Sequence, residues 1–175
     1  MIAAPEPRPG RLVRLGLVLT SPDPGERAHL AAMAGRVGVD VLWVVDAAND
    51  APLSGLPVLA LPAADEPWAR TVPVVVGRTR AEANALVGLA TGFAGFGDPR
   101  EHGLFGTLED CQVQVARLAS AGVRDLRCVL PELPDVLDVL AQLPAIVVGH
   151  PSTHHPEAAR SPDPPPPPWA GRRER

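Results

Sequence analysis

Apolar positions divide the first part of the chain into two short runs and one spaced series. Residues 15–19 and 39–45 are nearly continuous apolar runs, which is typical of strands buried on both faces of a parallel sheet. Between the runs, the apolar residues at positions 30, 33, 34 and 37 follow the spacing of one helix face. The order strand, helix, strand predicts a right-handed parallel crossover at the start of the domain.

Capping residues predict the ends of this first helix. Asp23 precedes Pro24, which suits the first helical position, and Glu26 stands where a capping box requires an acid. Gly38 follows the last apolar position of the series and predicts a left-handed cap. We therefore expect the first helix to begin at Pro24 and to end at Gly38.

The second half of the chain repeats the pattern. Thr79 with Glu82 and Thr107 with Asp110 have the spacing of capping boxes and predict two further helices. The predicted elements of this half are strand 72–76, helix 79–92, helix 107–122, strand 123–130, helix 135–143 and strand 145–148.

The segment between the two halves does not fit a parallel crossover. Residues 56–61 are a strand candidate, but only residues 62–71 separate them from the strand at 72–76. Prolines at positions 52, 57, 62 and 67 leave no room for a helix. We therefore expect residues 56–61 to form an edge strand, an antiparallel pairing or a loop.

Composition predicts one ordered domain, residues 11–149, with an unstructured segment at each end. Residues 1–10 contain three closely spaced prolines and are expected to form a flexible arm. Residues 150–175 include five consecutive prolines and too little apolar surface to fold. The histidines of this tail have no acidic or thiol partners, so we predict no metal site.

Composition also excludes classes of function and partner. With a net charge of −4, the chain shows no excess of positive charge to bind nucleic acid or a membrane surface. All 16 cationic side chains are arginine, which excludes lysine Schiff-base chemistry. There is no signal-peptide pattern, and no apolar run approaches the roughly 20 residues of a membrane span. We predict a cytoplasmic protein whose two cysteines are buried thiols.

Candidate site residues follow from a rule of parallel α/β sheets, in which ligands bind at the carboxyl ends of the strands. The residues selected as cofactor-binding are Asp46, Gly77, Arg78, Thr79, Gly106 and Thr107. A guanidinium beside a helix N-terminus suits an anionic group such as a phosphate. In the alternative interpretation, Thr79 only caps its helix and Arg78 is solvated.

A loop rich in glycine and phenylalanine is predicted at residues 92–106. It contains all three phenylalanines of the chain, a composition that suits a mobile cover over a planar ligand. The alternative is that the rings fill the edge of the core. His102 beside Glu101 is a candidate acid or base, with a solvated histidine as the alternative.

Three stretches of the chain resemble the luciferase-like monooxygenases, which are flavin- or F420-dependent oxidoreductases on a (β/α)8 barrel. The similarity lies in residues 12–46, 72–83 and 105–130, in the order that the family has them. It implies a small-molecule substrate, FMN or coenzyme F420 as cofactor, and hydride transfer or oxygen activation. It also implies that Asp46 orients or polarises, while Arg78 and Thr79 hold an anionic group.

The chain departs from the family in length and in detail. A barrel needs at least about 200 residues, which exceeds the expected domain, so the middle strands are missing. Asp46 is followed by alanine where the family often has histidine, and the family's phosphate-gripping run of small residues is not found. The predicted fold is α/β, a partial or truncated TIM-barrel-like set of βα units, with a mostly parallel sheet and flanking helices.

Two other classes of function stay open at this point. A non-catalytic remnant of the family would bury its unpaired strand edges by forming a homodimer or by binding a relative. An unrelated small α/β binding module is the third class, and it would be favoured if the first two strands were not adjacent and parallel.

Overall fold

A computed structural model describes residues 6–45, 55–90, 96–131 and 136–148. The helices of these residues are α1 (Pro24–Val37), α2 (Arg80–Leu89), α3 (Pro99–His102), α4 (Leu108–Ser120) and α5 (Val136–Ile146). The strands are β1 (Arg14–Leu19), β2 (Val41–Val44), β3 (Val58–Ala60), β4 (Ala69–Val76), β5 (Leu104–Gly106) and β6 (Asp125–Val129).

The six strands form one sheet in the order β3-β2-β1-β6-β4-β5, and every pair in it is parallel. The central strand β1 lies between β2 and β6, so the first and last strands are neighbours, as they are in a closed barrel. However, β4 rather than β5 lies beside β6, and the described strands leave β3 and β5 as open edges. The predicted fold class, a parallel α/β sheet with flanking helices, is confirmed.

The ends of α1 agree with the sequence prediction except at one contact. The Asp23 carboxylate accepts from the Gly25 N–H, and Gly38 ends the helix in the left-handed region at φ 92°. The predicted capping box is wrong, because the Glu26 carboxylate accepts from the Ser21 hydroxyl and not from the backbone of Asp23. Ser21 also accepts from the Asp23 N–H, so the two residues secure the turn before the helix.

One face of the sheet carries the main apolar core. Alternate residues of β1, β2, β4 and β6 point to this face and pack against α1, α4 and α5. The buried residues that helices supply to this core are Ala31, Ala34, Cys111, Val115, Val139, Leu140, Leu143 and Ile146. We call this side of the sheet the helix face.

The opposite face carries a smaller apolar cluster and the connection from β3 to β4. Val18, Val41, Trp43 and Val129 form the cluster, with Leu61 packed against it. Residues 61–68, which we call the strap, run from the carboxyl end of β3 to the amino end of β4. Because four strand spacings of about 4.8 Å separate these strands, the strap crosses this side of the sheet without a helix. We call this side the strap face.

The strap explains the segment that did not fit a crossover. Residues 58–60 form an edge strand, which is one of the predicted alternatives, but they pair with β2 in parallel, so the antiparallel alternative is wrong. A largely extended strap connects two distant parallel strands, and the usual helix is not needed.

Two predictions in the second half of the domain are wrong. Residues 145–148 do not form a strand, because α5 continues through Pro144 to Ile146 and only Val148 makes an isolated antiparallel bridge, to Arg11. Residues 96–106 are not all loop, since they contain α3 and the short strand β5. The tail at 150–175 lies outside the described residues.

The described part of the N-terminal arm lies against the start of the sheet. Arg8 and Arg11 both pair with the Asp40 carboxylate, which also accepts from the Leu15 N–H at 2.9 Å. These contacts connect the arm to the segment before β2. In the part of the chain that the structure covers, no helix is both long and apolar enough to cross a bilayer.

Candidate functional site

Five of the six predicted site residues meet at the carboxyl edge of β4 and β5. Gly77, Arg78 and Thr79 follow β4, while Gly106 closes β5, and the Gly77 N–H donates to the Gly106 carbonyl at 2.9 Å. Thr107 comes next in the chain and caps α4. The pairing of two strands therefore places the N-termini of α2 and α4 side by side.

The two glycines of this edge are required by close packing. A Cβ atom on Gly77 would lie 2.6 Å from the Ala83 backbone nitrogen. Gly106 has φ +126°, and a Cβ atom there would lie 2.5 Å from a carboxylate oxygen of Asp110. Glycine thus allows each helix to begin directly against its strand.

Side chains of the two helices already accept several of the N–H groups at this edge. Thr79 accepts from the Glu82 N–H, and the Glu82 carboxylate accepts from the Arg78 N–H at 2.7 Å. Thr107 and Asp110 form the reciprocal capping box that the sequence predicts. An anion that binds here has to compete with Glu82 and Asp110 for backbone donors.

Charges at this edge alternate in sign. The Arg78 side chain is 93% exposed and lies 3.8 Å from Glu82, while Arg80 reaches Asp110 across the two helices at 3.3 Å. The Thr107 N–H donates to Asp110 and lowers the pKa of that carboxyl group, and Arg80 lowers it further. Arg78 is therefore the cation most available to a ligand among these residues.

The other predicted candidates are Asp46 and residues of the 92–106 segment. Asp46 and Phe93 fall outside the described residues. His102 and Glu101 lie on α3, both well exposed, with 3.7 Å between the imidazole and the carboxylate. Phe96 packs against the apolar cluster of the strap face, as expected if the rings fill the edge of the core.

A group of charged residues on the strap face was not predicted. Arg127 and Asp125 are both 0% exposed on β6, and the Arg127 Nε donates to Asp125 at 3.1 Å. Arg127 Nη2 donates to Glu66 of the strap at 2.7 Å, and Arg14 of β1 donates to Asp125 at 2.8 Å. The neighbouring central strands β1 and β6 and the strap over them thus supply one ionic cluster on the strap face.

Trp43 is the apolar partner of this ionic cluster. The Arg127 guanidinium carbon lies 4.1 Å from the centroid of the Trp43 ring, which is cation–π geometry. Gly16 on the neighbouring strand gives the indole its space, since a Cβ atom there would lie 2.5 Å from the indole nitrogen. The indole N–H is buried and has no hydrogen-bond partner among the described residues.

A cavity of about 220 Å³ borders the strap. The residues that line it are Leu61, Pro62, Ala63, Ala64, Asp65, Thr71 and Phe96. Asp65 is fixed in its wall by accepting from both the N–H and the hydroxyl of Thr71. The cavity is smaller than the roughly 300 Å³ at which cofactor pockets usually begin.

The signal for the ionic cluster is present in the sequence. Asp125 and Arg127 alternate with Leu126 and Cys128, so a strand places the two opposite charges on one face and the two apolar residues on the other. The sequence analysis predicts a strand over residues 123–130, but it draws no candidate site from the charged residues within that strand.

The fold and these two regions define an α/β protein with an open parallel sheet, two capped helix N-termini at one edge and a buried ionic cluster on the strap face. Comparison with protein-family models, curated proteins and solved structures gave no match. Among the residues that are described, no three or more histidine, cysteine or acidic side chains are grouped so that they could hold a metal ion.

Proposed function

We propose that the protein is a shortened relative of the luciferase-like, flavin- or F420-dependent oxidoreductases, and that it binds an anionic cofactor at the carboxyl edge of β4 and β5. The observation that carries this proposal is the β4–β5 pairing, which places Gly77–Thr79 beside Gly106–Thr107. Two helix N-termini and the exposed Arg78 favour a phosphate there. The confinement of the long helices α1, α4 and α5 to one face resembles the outer layer of a barrel.

The residues fit the phosphate of such a cofactor. Arg78 would pair with the phosphate, and backbone N–H groups of residues 79–81 and 107–109 would complete its surroundings. When bound, FMN or F420 supplies hydride or oxygen chemistry. The protein would provide binding and orientation for a small-molecule substrate, in the cytoplasm.

Titration of the purified chain with FMN and with F420, followed by absorbance and fluorescence, tests this proposal. Arg78→Ala should weaken binding by about tenfold, which equals the loss of about 1.4 kcal/mol from a charge-assisted contact. Arg70→Ala is the matched control, because Arg70 is exposed at the amino end of the same strand.

A second variant should raise the affinity for the cofactor. Glu82→Gln removes the carboxylate that competes with the phosphate for the Arg78 N–H, so binding should become tighter. If neither cofactor binds to the unmodified protein or to the Glu82 variant, the proposal is wrong.

A non-catalytic remnant is the second candidate function. It is favoured by the way the capping carboxylates occupy donors at the carboxyl edge, and by the strap, which fills the face where a barrel has its lumen. Such a protein would pair the open β3 edge, where Leu59 is 40% exposed, with a second copy. Light scattering should then show a dimer that Leu59→Arg dissociates, and a monomer at high concentration would refute this candidate.

The third class, an unrelated binding module, would have been favoured by first and second strands that are not adjacent and parallel. β1 and β2 are adjacent and parallel, with Gly16 opposite Val41 in the register. The opening unit therefore has the arrangement that the first proposal requires.

A further inference from the structure

The buried Arg127 guanidinium has more donors than hydrogen-bond partners. Its Nε and Nη2 donate to Asp125 and Glu66, but Nη1 is buried and makes no hydrogen bond within the part of the chain that the structure describes. The nearest acid to Nη1 is Asp65 of the strap, whose oxygen lies 3.6 Å away and outside hydrogen-bonding distance. A buried donor of a charged group that has no acceptor destabilises the folded state, because the group has lost its hydrogen bonds to water.

The indole N–H of Trp43 is a second buried donor without an acceptor, and Trp43 stacks on Arg127. Two neighbouring side chains thus both present unused donors on the strap face. An oxygen-rich anion is the kind of group that would satisfy such donors, and a planar guanidinium binds phosphate or carboxylate through two parallel hydrogen bonds.

The charge balance of the cluster depends on the strap. Asp65 and Glu66 both belong to the strap, and their side chains are 24% and 38% exposed. Without these two carboxylates, the cluster retains Arg14 and Arg127 against Asp125 alone, which leaves one uncompensated positive charge. The strap therefore occupies the position that an anion would otherwise take.

Backbone hydrogen bonds fix the two ends of the strap, where the Leu61 N–H donates to Val44 and the Trp68 carbonyl accepts from the N–H groups of residues 124 and 125. Between these ends, the two carboxylates make its side-chain hydrogen bonds. None of its residues is fully buried, and Leu61 is its member that packs against the apolar cluster. The cavity of about 220 Å³ lies beside Leu61, Asp65 and Phe96. An enclosed apolar cavity of about 150 Å³ is enough for benzene. The space beside the strap is open to solvent and partly polar, but its volume is sufficient for one aromatic ring, and the Asp65 carboxylate separates it from Arg127.

We propose that the strap is an internal ligand, and that a small aromatic anion, such as an aryl phosphate, displaces Asp65 and Glu66 from Arg127. The anionic group pairs with Nη1 and Nη2 of Arg127, and the ring enters the cavity beside Leu61 and Phe96. This site lies in the middle of the strap face and is independent of the cofactor edge at β4 and β5.

Calorimetric titration of the full chain with phenyl phosphate tests the proposal. Glu66→Gln should bind phenyl phosphate about tenfold more tightly than the unmodified protein, because the competing charge on Arg127 is gone. Glu6→Gln, which removes the same charge from an exposed position in the N-terminal arm, should leave the affinity unchanged. Inorganic phosphate should bind less tightly than phenyl phosphate, since it lacks the ring.

Hydrogen exchange provides the second measurement. Binding should accelerate amide exchange in residues 61–69, where Leu61 donates to Val44 and Ala69 donates to the Glu66 carbonyl. The tighter binding caused by Glu66→Gln, and the faster exchange in the strap, should persist when Arg78→Ala is added, which separates this site from the cofactor edge. Equal affinities for the unmodified and Glu66 variants, no binding by either, or binding without faster exchange in the strap would each overturn the proposal.

Thermal unfolding distinguishes a strap that blocks the ligand site from a strap that only stabilises the fold. Glu66→Gln should lower the melting temperature while it raises the affinity, because the same contact both holds the strap and blocks the ligand. If Glu66→Gln does not fold, Asp65→Asn tests the same competition through the longer 3.6 Å contact. A variant that lost stability and gained no affinity would show that the strap is purely structural.

Discussion

The two faces of the sheet are built from the same strands but stabilised in different ways. On the helix face, residues such as Leu17 and Leu126 are buried under three helices in one continuous apolar core. On the strap face, Trp43 and Arg127 depend on a few polar contacts and one extended segment. Apolar burial is spread over many side chains and has no preferred direction, whereas an ionic cluster concentrates its energy in single contacts.

The comparison predicts different responses to substitution. A substitution on the helix face should lower the free energy of unfolding by an amount that depends on the buried volume removed and on the cavity left behind. On the strap face, removing one partner of a buried ion pair should lower the free energy of unfolding more than removing both partners does. The following experiments test this difference, beginning with the largest expected effect.

Arg127→Met should lower the free energy of unfolding by about 3–5 kcal/mol, because it leaves buried carboxylate charge with less compensation. The double variant Arg127→Met, Asp125→Asn should recover part of this loss, since the uncompensated carboxylate is then absent. Urea unfolding of both variants measures the difference. If the double variant is no more stable than the single one, the strap face behaves like ordinary apolar packing.

The helix face contains two buried titratable groups, the thiols of Cys111 and Cys128. Burial raises the pKa of Cys111 from 9.0 to about 12, and burial also raises that of Cys128. The chain contains no tyrosine and no lysine. Between about pH 9 and pH 12, the side chains whose protonation differs between the folded and unfolded states are therefore these two thiols. Alkaline unfolding therefore reports on the helix face alone.

The sign of the effect follows from the raised pKa values. Both thiols stay protonated in the folded protein, while they ionise in the unfolded chain above about pH 9. Their stabilising contribution is complete below that pH and falls by about 1.4 kcal/mol per thiol and pH unit as the pH rises towards 12. Urea unfolding at several alkaline pH values should show this slope, and the double variant Cys111→Ala, Cys128→Ala should remove it.

Much of the helix face was predictable because its signals are local and repeated. Apolar spacing predicts α1 and α4, and Asp23, Gly38 and Thr107 mark their ends as the structure has them. Residues 145–148 were not predictable in this way, because a short apolar run suits a helix end and a buried strand equally well. The three residues of β5 are too few to show a period at all.

The strap face was predicted poorly because its signals are distant in sequence. Glu66 and Arg127 are 61 positions apart, and their contact depends on the strand order, which no local pattern contains. The carboxyl edge of β4 and β5 was easier, since helix caps at Thr79 and Thr107 are local motifs. Whether those residues hold a cofactor depends on competition with Glu82 and Asp110, which spacing alone does not reveal.

Gly16→Ala tests how closely the strap face is packed. The added methyl group would meet the Trp43 indole at 2.5 Å, so we expect a loss of about 1–3 kcal/mol from overpacking. Gly88→Ala on α2 is the matched control, because no neighbouring atom of the described residues lies within 4 Å of a Cβ there. It should stabilise the helix by about 0.5–1 kcal/mol. Equal effects of the two changes on the melting temperature would show that Trp43 moves aside freely.

Thr107→Ala should have the smallest effect, about 1 kcal/mol, because it removes one helix cap from α4. The cost stays local, since Cys111 and Val115 still anchor α4 in the core of the helix face. Thr107→Ser keeps the hydroxyl that accepts from the Asp110 N–H and should retain most of the stability. A loss well above 2 kcal/mol in thermal unfolding would mean that the cap, rather than apolar burial, holds α4 on the sheet, and the contrast between the two faces would then be smaller than the structure indicates.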